Sequence, residues 1–299
     1  NMSILLDENT RVIVQGMTGR EGSLRTAFMK DYGTKVVAGV TPGRSGQEVH
    51  GLPVYDTVLE AIKNEGMVDA TVTFIPGPGL KNAVYEAIDA GIKFVVSPVE
   101  RIPVHDVIAM VNYAMKNDAK ILGPGSLGII SPGKAAMGWL GGSVDWAKML
   151  FEPGPVGVIS RSGGQSGTVP WALKVAGLGI STALHIGTEP VLGLTMADVL
   201  KMFEKDEQTK AVAIFGEIGG TLEEEAAETV ARGEFTKPLV VFIAGAWAPE
   251  GMRFSHASSI VERGRGTAQG KIKALTEAKA HVVDSPEEIA PKIKELINL

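Results

Sequence analysis

A histidine and a glutamate are the residues best suited to chemistry in this chain. His256 lies in Arg253-Phe254-Ser255-His256-Ala257-Ser258-Ser259, a short polar stretch beyond the apolar run Leu239 to Ala244. Upstream, the apolar run Ala211 to Phe215 leads into Gly216-Glu217-Ile218-Gly219-Gly220. Both runs read as buried strands. Imidazole and carboxylate therefore fall just past the carboxyl ends of strands, the edge at which open α/β sheets bind ligands. A carboxylate that fixes the tautomer of an imidazole leaves the other ring nitrogen free as a nucleophile. A nucleophilic histidine among small residues points to a phosphoryl carrier. Each residue alone has a plainer reading, since a glutamate after a strand is usually solvated and a single histidine is more often structural.

Two glycine-rich loops have the right form to hold phosphate. Gly16-Met17-Thr18-Gly19-Arg20-Glu21-Gly22 follows the first strand and opens the first helix. Glycines there let the backbone approach a phosphate at a helix N-terminus. A nicotinamide dinucleotide site would want an acidic residue after the second strand, whereas this chain has Val40-Thr41-Pro42-Gly43-Arg44. A cation there suits an additional phosphate, the 3′-phosphate of coenzyme A or the 2′-phosphate of NADP. Ile159-Ser160-Arg161-Ser162-Gly163-Gly164-Gln165-Ser166-Gly167-Thr168 repeats the strand–loop–helix pattern and reads as an anion nest. Its plainer reading is an ordinary helix cap. His185 sits at a strand end and reads as buried and structural. No metal-ligand spacing and no nucleophile elbow occurs.

The elements that must position these residues alternate along the whole chain. Strands are expected at Arg11 to Gln15, Lys35 to Val40, Ala70 to Ile75, Phe94 to Ser97 and Lys120 to Leu122, separated by helical stretches. The pattern resumes with strands at Val156 to Ser160, Ser181 to Ile186, Ala211 to Phe215, Leu239 to Ala244 and His281 to Val283, with a helix from Glu287 to Leu299 at the end. Helices are expected from Ser23, from Asn82 and directly after Gly164. Such alternation predicts α/β architecture with parallel sheets. The Gly-, Pro- and Ser-rich stretch Gly123 to Pro155 marks a boundary, giving domains over 1–123 and 124–299. The 299 residues are 44% apolar and 21% charged, with net charge −5, so no basic surface invites nucleic acid or an anionic membrane. No cysteine is present, which excludes disulfides and thiol chemistry. No run approaches membrane-spanning length, no signal peptide precedes Met2, and Asn1 reads as a tag residue.

The motifs together resemble the α subunits of succinyl-CoA synthetase, the ADP- or GDP-forming succinate–CoA ligases. The likeness runs nearly end to end through Met2-Ser3-Ile4-Leu5, Gly16-Met17-Thr18-Gly19, Tyr32-Gly33-Thr34-Lys35, Gly39-Val40-Thr41-Pro42-Gly43, Ser160-Arg161-Ser162-Gly163, Gly216-Glu217-Ile218-Gly219-Gly220 and Lys237-Pro238. The resemblance implies a Rossmann-like CoA-binding domain followed by a flavodoxin-like parallel-sheet ligase domain. It assigns CoA to Thr18, Gly19, Arg20, Glu21, Gly22, Arg44, Ser97, Val99 and Glu100. It makes His256 the phosphohistidine and Glu217 the residue that orients it, with Ser160, Ser162, Gly163 and Gly164 around the phosphoryl group. The implied reaction phosphorylates the histidine from Mg-ATP or Mg-GTP, passes the phosphoryl group to a small carboxylic acid, and ends with attack by the CoA thiol. No ATP-grasp domain is visible, so a β subunit bearing one is the implied partner, as αβ or α2β2 in the cytoplasm.

Several loops depart from the family pattern. Gly123-Pro124-Gly125-Ser126-Leu127-Gly128 stands where the family reads Gly-Pro-Asn-Cys-Pro-Gly. Gly164-Gln165-Ser166-Gly167-Thr168 loses an aromatic and a carboxylate, and His185-Ile186-Gly187-Thr188-Glu189-Pro190 replaces Gly-Ile-Gly-Gly-Asp-Pro. Ser255 and Ser258 replace glycines beside the histidine. The Ser-Gly-Gly of the second loop is similar to the ATP-citrate lyase and citryl-CoA synthetase branch. Succinate is thus the default acid, with malate and citrate as rivals. A non-catalytic CoA-binding subunit and an NADP-dependent oxidoreductase are the readings from other classes.

Overall fold

A computed structural model describes residues 3–247, 256, 258–261 and 266–298. Arg253, Phe254, Ser255 and Ala257 of the histidine segment lie outside the described residues, as do Asn1, Met2 and Leu299. The first sheet contains β1 (Arg11–Gln15), β2 (Lys35–Val40), β3 (Glu48–Val49), β4 (Leu52–Tyr55), β5 (Ala70–Thr73), β6 (Phe94–Val96) and β7 (Lys120–Leu122). Its order is β3-β4-β2-β1-β5-β6-β7, and only β3 runs antiparallel to its neighbour. Without β3 this is the order of a dinucleotide-binding sheet, with its switch point between β1 and β5. The helices are α1 (Arg20–Tyr32), α2 (Val58–Glu65), α3 (Gly77–Asp89) and α4 (Val104–Lys116). Val12 and Val14 face one core and Ile13 the other, the period-two alternation of a strand buried on both faces.

The second sheet contains β8 (Gly128–Ser131), β9 (Ala135–Gly138), β10 (Pro153–Ser160), β11 (Ile180–His185), β12 (Ala211–Glu217), β13 (Leu239–Ala244) and β14 (His281–Val283). Its order is β14-β13-β12-β10-β11-β8-β9. The five strands from β10 onward are parallel in flavodoxin-like order, with the switch point between β10 and β12. The remaining helices are α5 (Val144–Leu150), α6 (Thr168–Val175), α7 (Met196–Lys205), α8 (Leu222–Ala231), α9 (Ala268–Glu277) and α10 (Ile289–Ile297). Helices α6 and α10 pack together, as do α7 with α8 and α8 with α9. One hydrophobic core runs from Val12 and Met17 through Ile129 and Met137 to Val240, so α1 is sealed by the β8–β9 hairpin and α5.

Four expectations change. The second sheet is mixed, because the hairpin β8–β9 joins β11 antiparallel. The glycine-rich stretch after Gly123 holds that hairpin and α5; its Ala-Ala-Met-Gly strand lacks the β-branched residues that signal a strand. The helices expected from Ser23 and Asn82 start earlier, at Arg20 and Gly77. Pro78 in the first turn of α3 is compatible with helix because the early amides there need no intrahelical partner. Helix α6 starts later, at Thr168, since residues 161–167 are spent on turns.

Candidate active site

The structure brings His256 and Glu217 together. Ser160 at the end of β10 is level with Phe215 of β12, so Glu217 projects beyond the edge beside the switch point. Its Oε2 lies 3.0 Å from His256 Nε2. The carbonyl oxygen of Arg161, in the loop after β10, lies 3.0 Å from the same nitrogen. Two acceptors at Nε2 require that nitrogen to carry the proton, which leaves the lone pair of the neutral ring on Nδ1. Ser259 Oγ donates to Glu217 Oε2 at 2.6 Å, and Ser258 Oγ lies 3.0 Å from His256 Nδ1. Glu217 is 1% exposed and the His256 side chain 12%. Burial alone would raise the Glu217 carboxyl. The bonds from His256 and Ser259 and the nearby Arg161 charge outweigh it and hold the carboxyl below its ordinary value.

Behind the pair lies a buried ion cluster that sequence reasoning missed. Arg161 Nη1 donates to the carbonyls of Glu217 (3.0 Å) and Gly219 (2.8 Å) and to Glu223 Oε1 (3.2 Å). Glu223 Oε1 also accepts the Glu217 amide at 3.0 Å. Lys271 Nζ uses all three donors, on Glu223 Oε2 (2.6 Å), Glu224 Oε2 (2.7 Å) and the Gly220 carbonyl (3.1 Å). Lys271 and Glu223 are fully buried. Burial would raise Glu223, and the charges of Arg161 and Lys271 hold it below the usual carboxylate range instead. The cluster thus fixes the turn that carries Glu217. Gly219 must be glycine there, because at φ +89° a Cβ would fall 2.4 Å from the Ser258 carbonyl oxygen. One signal was legible: Ala268, Lys271 and Leu275 share the inner face of α9, and a lysine on an apolar stripe demands a buried anion.

The expected anion nest has a different construction. Ser160 Oγ donates to the Ser162 carbonyl (2.8 Å) and accepts the Ser162 amide (3.2 Å), while Ser162 Oγ accepts the Gln165 amide (3.2 Å). Both serine side chains brace the loop, and of the quartet Gly163 is half-buried and Gly164 exposed. The floor beneath them is His185, whose Cε1 would meet a Cβ on Gly163 at 3.3 Å. His185 Nδ1 accepts the Leu127 amide at 2.9 Å, and its Nε2 lies 3.2 Å from the Arg161 carbonyl. Burial pushes this imidazole down to about 4, so it is neutral near pH 7.

On the first sheet, Gly16, Thr18, Gly19, Arg20, Glu21 and Gly22 form the turn between β1 and α1. Gly16 is held at φ +84°, where a Cβ would lie 2.3 Å from the Phe74 oxygen, and a Cβ on Gly22 would lie 2.0 Å from the Gly16 oxygen. The loop is therefore tight enough to aim the first amides of α1, which have no intrahelical partner, out of the edge. The Arg20 and Glu21 side chains are exposed, and Glu21 pairs with Arg25 at 3.3 Å. Asp56 Oδ1 accepts the amides of Arg44 and Ser45, both at 2.9 Å, which pins the loop after β2 and leaves the Arg44 side chain exposed. Ser97, Val99 and Glu100 follow β6 on the same edge. Thr41 Oγ1 and Ser97 Oγ are buried atoms with no hydrogen-bond partner. Orphaned hydroxyls after β2 and β6 at the carboxyl edge of this sheet, with the exposed Arg44 in the loop after β2, fit a polyanionic ligand with an amide-bearing arm, as CoA is.

The family description "CoA binding domain" matches residues 7–100, and "CoA-ligase" matches residues 159–281. The α subunit of the ADP-forming succinate–CoA ligase of Aquifex aeolicus is 45% identical over 300 residues, covering 100% of this chain and 96% of that protein. A subunit of the ADP-forming sulfoacetate–CoA ligase of an Acholeplasma species is 43% identical, covering 99% of this chain and 98% of its own length. Among solved structures, ATP citrate lyase from Methanothrix soehngenii with citrate and coenzyme A superposes with TM-score 0.90 at 24% identity. That match covers 99% of this chain and 50% of the lyase chain, and it shows the shared fold.

Proposed function

This chain belongs to the α-subunit family of the ADP-forming succinate–CoA ligases, and we propose that His256 is the phosphoryl carrier with which it joins a small carboxylic acid to CoA. The observation that supports this most is the His256–Glu217 pair at the switch point, 3.0 Å apart. Glu217 and the Arg161 carbonyl hold the ring proton on one nitrogen, so the other keeps the lone pair a nucleophile needs. The Glu217 charge stabilises the cationic ring that forms when that lone pair takes a phosphoryl group. Gly163 and Gly164 would offer amides to its oxygens. The acid then receives the phosphoryl group as an acyl phosphate, kept from water while it waits. CoA supplies the thiol that displaces phosphate from the acyl carbon. The turn from Thr18 to Gly22 would hold its pyrophosphate and Arg44 its 3′-phosphate, with Ser97, Val99 and Glu100 along its arm.

The proposal includes Mg-ATP or Mg-GTP bound by a β subunit with an ATP-grasp domain, in an αβ or α2β2 assembly in the cytoplasm. It divides the chain near residue 123, a division supported by the first sheet ending at Leu122 and the second beginning at Gly128. Among the described residues no helix is long and apolar enough to cross a membrane. Succinate is the default acid; the sulfoacetate–CoA ligase relative favours a sulfonated acid as a second reading.

The test is intact mass of the chain assembled with its natural partner after MgATP or MgGTP. One phosphoryl group on His256 is expected, discharged by CoA plus one acid from a panel of succinate, malate, citrate and sulfoacetate. A His256→Asn variant that still made thioester at the wild-type rate would sink the mechanism. CoA binding without phosphorylation under either nucleotide would leave a non-catalytic CoA-binding subunit.

A further inference from the structure

We infer that Trp139 is a binding residue for the thiol-bearing arm of CoA, the middle of an apolar shelf that it forms with Phe74 and Leu127. The inference rests on the CoA reading above and extends it to a residue on the far side of the domain boundary. All three side chains are half-buried and pack on the rim of the main core. Phe74 follows β5, the neighbour of β6, and its carbonyl oxygen closes on Gly16 in the turn assigned to the pyrophosphate. Leu127 marks the other end. Its Cδ1 would meet a Cβ on Gly163 at 3.3 Å, and its amide donates to the His185 ring. Trp139 joins the two. Its ring centroid is 6.0 Å from that of Phe74, and its amide donates to the Leu127 carbonyl at 2.9 Å. The shelf thus leads from the pyrophosphate turn to the phosphoryl loop, the course the arm must take if its thiol is to reach an acyl phosphate.

The local structure holds the ring in that place. Gly138, at φ +93°, lets the end of β9 close on Leu127, because a Cβ there would lie 2.2 Å from the Leu127 oxygen. The turn beyond is closed by the Gly142 amide, which donates to the Trp139 carbonyl at 2.9 Å. Arg25 of α1 sets its guanidinium 4.5 Å from the ring centroid, a cation–π contact, and Glu21 pairs with the same guanidinium. The ring is therefore fixed before any ligand arrives, and the surface it leaves open is available at little cost in side-chain entropy. The chemistry matches the arm and not the nucleotide. The arm carries methyl and methylene groups between its amides and ends in an ethyl thiol, so an apolar wall gains by covering it and keeps water from the acyl phosphate. The nucleotide end is polyanionic and gains nothing from such a wall.

That difference supplies the test. The chain assembled with its natural partner is titrated by calorimetry with CoA and with 3′-phospho-ADP, which keeps the nucleotide and pyrophosphate and lacks the arm. Trp139→Ala should weaken CoA roughly tenfold, the factor expected from uncovering roughly 60 Å² of apolar surface, with 3′-phospho-ADP unchanged. Trp139→Phe should retain most of the affinity, and Trp139→Leu serves if the alanine variant does not fold. Tryptophan fluorescence gives a second readout, since Trp146, Trp171 and Trp247 are exposed. The wild-type signal should change with CoA and not with 3′-phospho-ADP, and the change should be absent in Trp139→Phe. Unchanged CoA affinity in Trp139→Ala overturns the inference. Equal weakening of both ligands also overturns it, because the ring then only supports the turn before α1. A wild type that binds neither ligand refutes the CoA reading itself, and this inference falls with it.

Discussion

Lowering the pH should weaken this protein through His185 before its carboxylates are reached. The imidazole is 1% exposed, and burial takes it from 6.5 to about 4. The folded chain therefore binds fewer protons here than the unfolded chain. Stability from this group is fully present above the unfolded value and is lost as pH falls through the folded one. The gap of about 2.5 units, at about 1.4 kcal/mol per unit, amounts to roughly 3 kcal/mol lost by about pH 4. Protonation also ends the acceptor role of Nδ1 toward the Leu127 amide. The comparison is urea unfolding of wild type and His185→Gln at about pH 7.5 and about pH 4. Glutamine keeps one acceptor for Leu127 and one donor for the Arg161 carbonyl but does not titrate. Wild type should lose about 3 kcal/mol more than the variant over that interval. Equal losses in the two proteins would refute the reasoning, since His185 would then titrate alike folded and unfolded.

Gly22→Ala sets a Cβ 2.0 Å from the Gly16 oxygen, and Gly16 is held in place by its amide's 2.8 Å bond to the Val40 carbonyl. The turn must open, and CoA binding should weaken by about tenfold or more in calorimetry, while His256, on the other sheet, is still phosphorylated; unchanged CoA affinity would clear the turn of a role. Lys271→Met leaves the fully buried Glu223 with Arg161 as its remaining cation and strips the half-buried Glu224 of its partner, which should destabilise by about 3 kcal/mol in denaturant unfolding. Adding Glu223→Gln should recover part of that loss, and strict additivity of the two changes would argue against the coupled cluster.

The parallel strands were legible because fully buried strands read as unbroken apolar runs, such as Ala211 to Phe215. The loops after β1, β2, β10 and β12 were legible because glycine and charge interrupt those runs at the functional edge. The β8–β9 hairpin was not, since Ala135, Ala136 and Met137 are strand only through packing against α1 and pairing with β8. The pairing of His256 with Glu217 is a tertiary fact, made by Gly219 letting two loops touch. The ion cluster lay largely hidden because Arg161 and Glu223 look like ordinary surface charges in sequence, while Lys271 on the apolar stripe of α9 signals a buried anion without naming it. Ser160 and Ser162 read as anion ligands; in the fold the Ser160 hydroxyl donates to the Ser162 carbonyl and the Ser162 hydroxyl oxygen accepts the Gln165 amide, contacts between residues two and three apart that no strand or helix pattern announces.

Two of the loop departures that look scattered in sequence, at residues 123–128 and 185–190, pack as one seam with the loop after β6. Ser126 Oγ donates to the His185 carbonyl at 2.5 Å, and the Leu127 amide meets the His185 ring. Gly125 is held where a Cβ would lie 2.0 Å from Thr188 Oγ1, and a Cβ on Gly187 would lie 2.5 Å from the Pro124 oxygen. Thr188 Oγ1 donates to Glu100 Oε1 at 3.1 Å, and Glu189 accepts the Arg101 amide. Glycine at 125 thus makes room for threonine at 188, and the ring of His185 fills the space beneath Gly163. Changing one of these residues without the others would leave either a clash or a void, so they act as a set. The seam joins the loop after β6, on the CoA-binding sheet, to the loops that flank His256. In the proposed reaction an acyl phosphate formed beside His256 must meet a thiol held at the first sheet's edge, and the bonds from Thr188 to Glu100 and from the Arg101 amide to Glu189 tie those two edges together.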